Sequence, residues 1–200
     1  MRLGVLVSGR GSNLEAVLEA VADRRLAHVE PVIVISNRDA VRALAIAGQY
    51  AVATAVVERA AFPDRAARDE AIGRALAEAG VDLVLLAGYD EVLRPSYFAA
   101  FAGRTINIHP SLLPRHGGVG MIGLAVHQAV LAAGDDTSGV TIHEVTPALD
   151  AGQPLRQVQV AVLPGDTPQT LAERVLAAEH LAVVEVLSHL SASMTGAPRT

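Results

Sequence analysis

The chain contains no cysteine, which excludes disulfides, thiolate metal sites and a cysteine nucleophile. It contains no lysine either: all 16 basic residues are arginine. Schiff-base chemistry and a Walker-type phosphate loop both need that amine, so both are excluded. Charge is sparse. Charged residues make up 18% of the chain and the formal net charge is −5, so nothing attracts nucleic acid or an anionic membrane in general. A phosphate-bearing ligand therefore needs a local site. No stretch approaches the ~18 unbroken apolar residues of a spanning helix, and the apolar run at residues 3–7 is too short for a signal peptide. The seven histidines show no HExxH or comparable ligand spacing, so no metal site is expected. These absences predict a cytoplasmic chain with neither nucleic acid nor membrane as partner.

What is present is apolar residues in short runs. At 51% hydrophobic, 200 residues suffice for one domain with a full core. Runs rich in valine and isoleucine read as strands at 2–8, 31–37, 53–58, 82–88 and 105–109. Helical patterns lie between them: 12–23, with Leu14, Val17, Leu18 and Val21 on one face, then 39–49 and 64–79, closed by Gly80. This βαβα order predicts an α/β domain with a doubly wound, mostly parallel sheet, apolar on both faces. Beyond residue 138 the pattern changes. Strands at 139–146 and 155–163 read as an antiparallel pair, and a long last helix follows Asp166 or Thr167 as N-cap, with Pro168 in its first turn. No linker or repeat interrupts residues 1–200, which read as one unit.

In such a sheet, ligands bind beyond the carboxyl ends of the strands. The segment SGRGSN (8–13) leaves the first strand and opens the first helix. Its glycines let backbone N–H groups approach a ligand, and a helix N-terminus favours phosphate. A tight turn capped by Ser12 or Asn13 would explain the same residues. The segment TINIHPSLLPRHGG (105–118) places Asn107 and His109 on one strand face at the predicted rim. A carboxylate such as Asp150, if it comes within reach, would orient that imidazole and favour its charged form. His143 reads as either core or rim, His116 is a reserve candidate, and His127 starts or lines a helix. Gly117, Gly118, Gly120 and Gly123 make 115–123 either a mobile lid or a plain flexible connection.

The segments SGRGSNLEA, VISNRDA, LAGYDEVLRP, NIHPSLLP, TIHEVT, LDAG and AERVLAAEH occur in this order. With them the chain resembles the phosphoribosylglycinamide formyltransferases, folate-dependent enzymes of purine synthesis, up to about residue 190. The resemblance implies a Rossmann-like formyltransferase fold over 1–200, with a phosphate-binding half to about 104 and a catalytic and folate-binding half from about 105. It implies formyl transfer from 10-formyltetrahydrofolate to the amine of glycinamide ribonucleotide by direct attack through a tetrahedral intermediate, without a metal, in a monomer or homodimer. Asn107, His109 and Asp150 match the catalytic trio. Gly11, Ser12 and Asn13 match the phosphate loop, and Glu179 a substrate contact. Arg65 matches an arginine near the folate tail; residues 90–93 (Asp90, Glu91, Val92, Leu93) and 146–150, from Thr146 to Asp150, match loops around the pterin. Asp90 and Glu91 depart from the family, which more often has an apolar residue and an arginine there. Two other readings remain: a formyltetrahydrofolate hydrolase with water as acceptor, and a nucleotide-binding module without catalysis.

Overall fold

A computed structural model describes residues 1–195; of the unit expected over 1–200, residues 196–200 lie outside the described ones. Seven strands form one sheet in the order β3-β2-β1-β4-β5-β6-β7. They are β1 Arg2–Val7, β2 Glu30–Ser36, β3 Ala53–Val56, β4 Leu83–Leu86, β5 Arg104–His109, β6 Thr137–Glu144 and β7 Pro154–Ala161. The first five run parallel, and β6 and β7 are antiparallel, as expected. Strand order reverses between β1 and β4, which opens a crevice beyond their carboxyl ends.

Among the described residues, six α-helices cover the sheet: α1 Ser12–Ala22, α2 Arg42–Gln49, α3 Arg65–Glu78, α4 Pro95–Ala100, α5 Leu124–Ala132 and α6 Pro168–Thr195. One face packs Leu3, Val5, Leu85, Ile106 and Ile108 against Leu14 and Leu18 of α1, Ile46 of α2 and Val183 and Leu187 of α6. The other packs Leu6, Ile35, Val84 and Leu86 against Ile72 and Leu76 of α3 and Tyr97 of α4. Burial on both faces explains the continuous apolar strands. Truncating a fully buried leucine such as Leu76 to alanine should cost about 2–5 kcal/mol.

Two helix starts differ from expectation. α2 begins at Arg42 because Ala40 takes a left-handed φ of 52°, which ends the loop after β2 rather than opening a helix. α1 has neither Ser12 nor Asn13 as its cap. Gly11 is the N-cap, at φ 74°, and makes no side-chain bond. A Cβ at Gly11 would also lie 2.7 Å from the Cα of Ala43, so α2 can approach only a glycine here. For α6, the Thr167 hydroxyl accepts the N–H of Thr170 at 3.2 Å, the bond of an N-cap. By length and composition alone α6 could cross a membrane, but Leu171, Val175, Val183 and Leu187 are fully buried against the rest of the molecule.

Candidate active site

A cavity of about 800 Å³ opens where β1, β4 and β5 end. At one end lies the loop after β1. Gly9, Arg10, Gly11, Ser12 and Asn13 line the cavity, and no side chain occupies the first-turn N–H groups of α1. Those donors and the positive end of the helix dipole form a site for an anion. Asn13 turns aside: its Nδ2 donates to Glu179 Oε2 at 2.7 Å. Glu179 is buried on α6, and that burial pushes its carboxyl above the ordinary 4.5, a shift that Asn13 and Arg10 oppose.

The middle wall is the loop after β4. Asp90, Glu91, Val92 and Leu93 all line the cavity, as do Thr146, Ala148, Leu149 and Asp150. The two unusual acids are both neutralised. Asp90 accepts from Asn37 Nδ2 at 2.9 Å and from Arg38 Nη2 at 2.5 Å, while its backbone N–H donates to Ser8 Oγ at 3.0 Å. Glu91 lies 3.1 Å from Nη1 of Arg68, which is fully buried and also paired with Asp69. Arg65, one turn earlier on α3, does not line the cavity, so the structure does not bring it to the other expected residues. Thr146 lines the cavity with its hydroxyl donated to the Ala148 carbonyl at 3.0 Å.

At the other end, Asn107 and His109 leave β5 on one face. The antiparallel register sets His143 directly opposite Asn107 and Thr141 opposite His109. His143 Nδ1 donates to the Glu144 carbonyl at 2.8 Å, which leaves Nε2 as the acceptor for Asn107 Nδ2 at 3.2 Å. Burial pushes the His143 imidazole below its ordinary 6.5 and keeps it neutral, although Glu144 and Asp150 pull the other way. Asp150 stands between the two imidazoles: Oδ1 is 3.7 Å from His143 Nε2 and Oδ2 is 3.9 Å from His109 Nδ1. Its backbone is left-handed, with φ 50°, a region aspartate tolerates better than most residues. Oδ2 also accepts the Gly118 N–H at 2.8 Å, which ties the glycine-rich segment to the site. His109 Nε2 donates to the His116 carbonyl at 2.9 Å, leaving Nδ1 toward Asp150.

The trio of Asn107, His109 and Asp150 thus meets in space, with the phosphate-type loop and Glu179 on the same cavity. Sequence reasoning left His143 open and missed Arg38 and Arg68. The His116 ring faces Asp135, away from the cavity, and His127 sits in the first turn of α5, where burial lowers its pKa. No group of three or more candidate metal ligands occurs among the described residues.

Residues 1–187 match the family model for formyl transferase. The chain is 35% identical to phosphoribosylglycinamide formyltransferase of Escherichia coli (strain K12), over 94% of this chain and 86% of that protein. It is 42% identical to the trifunctional purine biosynthetic protein adenosine-3 of Bos taurus, over 90% of this chain and 17% of that protein. The chain spans 13% to 18% of the length of the trifunctional relatives it matches. The crystal structure of glycinamide ribonucleotide transformylase 1 from Symbiobacterium toebii superposes with a TM-score of 0.90 at 37% identity, covering 96% of this chain and 88% of that one. In sequence and in fold, this chain belongs to the formyl transferase family.

Proposed function

We propose that the chain transfers the formyl group of 10-formyltetrahydrofolate to the amine of glycinamide ribonucleotide. One observation carries the reading: an amide, two imidazoles and a carboxylate converge at one end of a cavity whose other end is a phosphate-type helix N-terminus. The names of the relatives support the acceptor and the formyl group transferred to it.

The residues present fit a folate. The cavity volume lies within the usual range for a ligand of that size. Leu86, Leu93, Ile108 and Val145 give it an apolar wall, and residues 88–93 with Thr146, Ala148, Leu149 and Asp150 complete the lining. The bound folate supplies an electrophilic formyl carbon. The unoccupied N–H groups of Gly11, Ser12 and Asn13 take the ribonucleotide phosphate, and Glu179 makes a polar contact beside it. Residues to about 104 hold this phosphate, and the catalytic groups come from the rest of the chain.

Attack by the amine places negative charge on the formyl oxygen. Asn107 has a second N–H beyond the one it gives to His143, and protonated His109 has Nδ1–H; both are suited to donate to that oxygen. Asp150 compensates the imidazolium charge and takes the proton leaving the amine, directly or through water. When the carbonyl re-forms, the bond from the formyl carbon to the folate nitrogen breaks, its electron pair stays on that nitrogen, and the nitrogen takes up the proton that the amine gave to Asp150. The protein forms no covalent bond, so a chain without cysteine or lysine loses nothing.

Purified protein incubated with 10-formyltetrahydrofolate should release tetrahydrofolate only when glycinamide ribonucleotide is present, with the formylated ribonucleotide detected by mass spectrometry. Equal release without it, with formate as product, would make water the acceptor. No release in either case, with the ribonucleotide bound, would leave a nucleotide-binding module.

A further inference from the structure

His116 has its carbonyl inside the site and its side chain outside it. The carbonyl accepts the Nε2–H of His109 at 2.9 Å. The ring points the other way and sets its Nε2 2.6 Å from Oδ2 of Asp135. Arg115 pairs with the other oxygen of the same carboxylate. Asp135 sits in the turn between α5 and β6 and does not line the active-site cavity.

The backbone at His116 has φ 53°, left-handed space that histidine enters more readily than most residues other than glycine. The Asp135 bond holds the ring from outside. From inside, Ser111 Oγ donates to the Arg115 carbonyl at 2.6 Å and approaches the His116 carbonyl at 3.4 Å. The next two residues are glycines, and a further tie on the segment is the Gly118 N–H, which Asp150 Oδ2 accepts at 2.8 Å.

This peptide decides which nitrogen of His109 does the chemistry. With an acceptor fixed at Nε2, that nitrogen keeps its hydrogen in both the neutral and the charged ring. Nδ1, the atom that faces Asp150 at 3.9 Å, then gains and loses the proton. If the carbonyl swung away, the neutral ring could place its hydrogen on Nδ1 or rotate, and the edge offered to substrate would change.

We infer that Asp135 is a positioning residue for His109, acting through the ring and carbonyl of His116; this rests on the catalytic reading of His109 given above. Asp135→Ala should lower kcat about tenfold while KM for both substrates moves less than about twofold. Asp135→Asn keeps an acceptor oxygen for the His116 N–H and should stay within about threefold of the parent. His116→Gly tolerates the positive φ but lacks the ring; it should match Asp135→Ala and stands in for it if that variant fails to fold.

The second readout needs no substrate. Imidazole ¹⁵N NMR should show His109 as the Nε2–H tautomer in the parent and as a mixture in Asp135→Ala and His116→Gly. If the parent transfers no formyl group yet the variants shift the tautomer, the positioning stands and the formyl reading falls. If the parent is active and both variants keep its kcat and its His109 signals, the inference is overturned. A loss of folded protein with unchanged kcat per folded molecule, and Asp135→Asn no better than Asp135→Ala, overturns it too.

Discussion

Two clusters of charged and polar groups border the same cavity and are built in opposite ways. In the first, Arg68 and Asp69 are fully buried. Nη2 and Nε of Arg68 lie 2.7 and 3.0 Å from Oδ1 of Asp69, and Asp69 Oδ2 accepts the backbone N–H of Arg94 at 2.9 Å. Glu91 adds a contact at 3.1 Å. In the second, Asp150 faces two imidazoles at 3.7 and 3.9 Å, too far for direct hydrogen bonds. The first cluster joins α3 to the 88–94 loop. The second keeps capacity in reserve beside open space. Burial alone therefore does not mark a group for chemistry; unused donors and acceptors facing a cavity do.

The comparison breaks most sharply at His109. His109→Ala should lower kcat about 10³–10⁴-fold, while calorimetry shows ribonucleotide binding nearly unchanged and thermal unfolding at the parent's temperature. A large stability loss with modest kinetic change would move His109 into the structural class. Arg68→Ala should behave in the reverse manner. It strands Asp69 and Glu91 without their cation and should cost about 3–5 kcal/mol in urea unfolding, read against the parent.

Smaller effects sharpen the boundary. His143 is neutral, lines the cavity and holds the Asn107 amide at 3.2 Å. His143→Ala should lower kcat about tenfold by freeing that amide, without moving the KM for either substrate. Glu179 gives the smallest expected change and tests its sign. Burial raises its carboxyl above 4.5, so the folded protein holds that proton more tightly than the unfolded chain. The stability this contributes is complete below 4.5 and is lost as pH rises through the folded value. Glu179→Gln should therefore melt roughly 2 °C above the parent at pH 7.5, with the gap closing as pH falls toward 4.5. A lower melting temperature at pH 7.5 would contradict the assignment of burial as the dominant cause.

The fold and the place of Asn107 and His109 on the cavity rim were readable from local pattern, because strand alternation puts them on one face and strand ends define a rim. What escaped depends on pairings between distant segments. His143 alternates with Thr141 on β6 as His109 does with Asn107 on β5, but only the antiparallel register sets it opposite the amide. Arg65 and Arg68 lie one turn apart on α3. Sequence similarity selected the first, whereas the 88–93 loop buries the second through Glu91, a partner that no spacing along α3 reveals. Asn13, which the resemblance puts in the phosphate loop, turns its side chain to Glu179, which only the packing of α6 on α1 brings near. The part played by His116 is carried by its backbone carbonyl, and residue type encodes no such role.

The most direct test is a single turnover followed by ¹³C NMR, with protein, ribonucleotide and folate carrying a ¹³C-labelled formyl group in equal amounts. The label should move to the ribonucleotide nitrogen in the parent and stay on folate in His109→Ala. Label recovered as formate in the parent, or transferred by His109→Ala at the parent's rate, would contradict the assignment of the loosely held cluster as the formyl-transfer site.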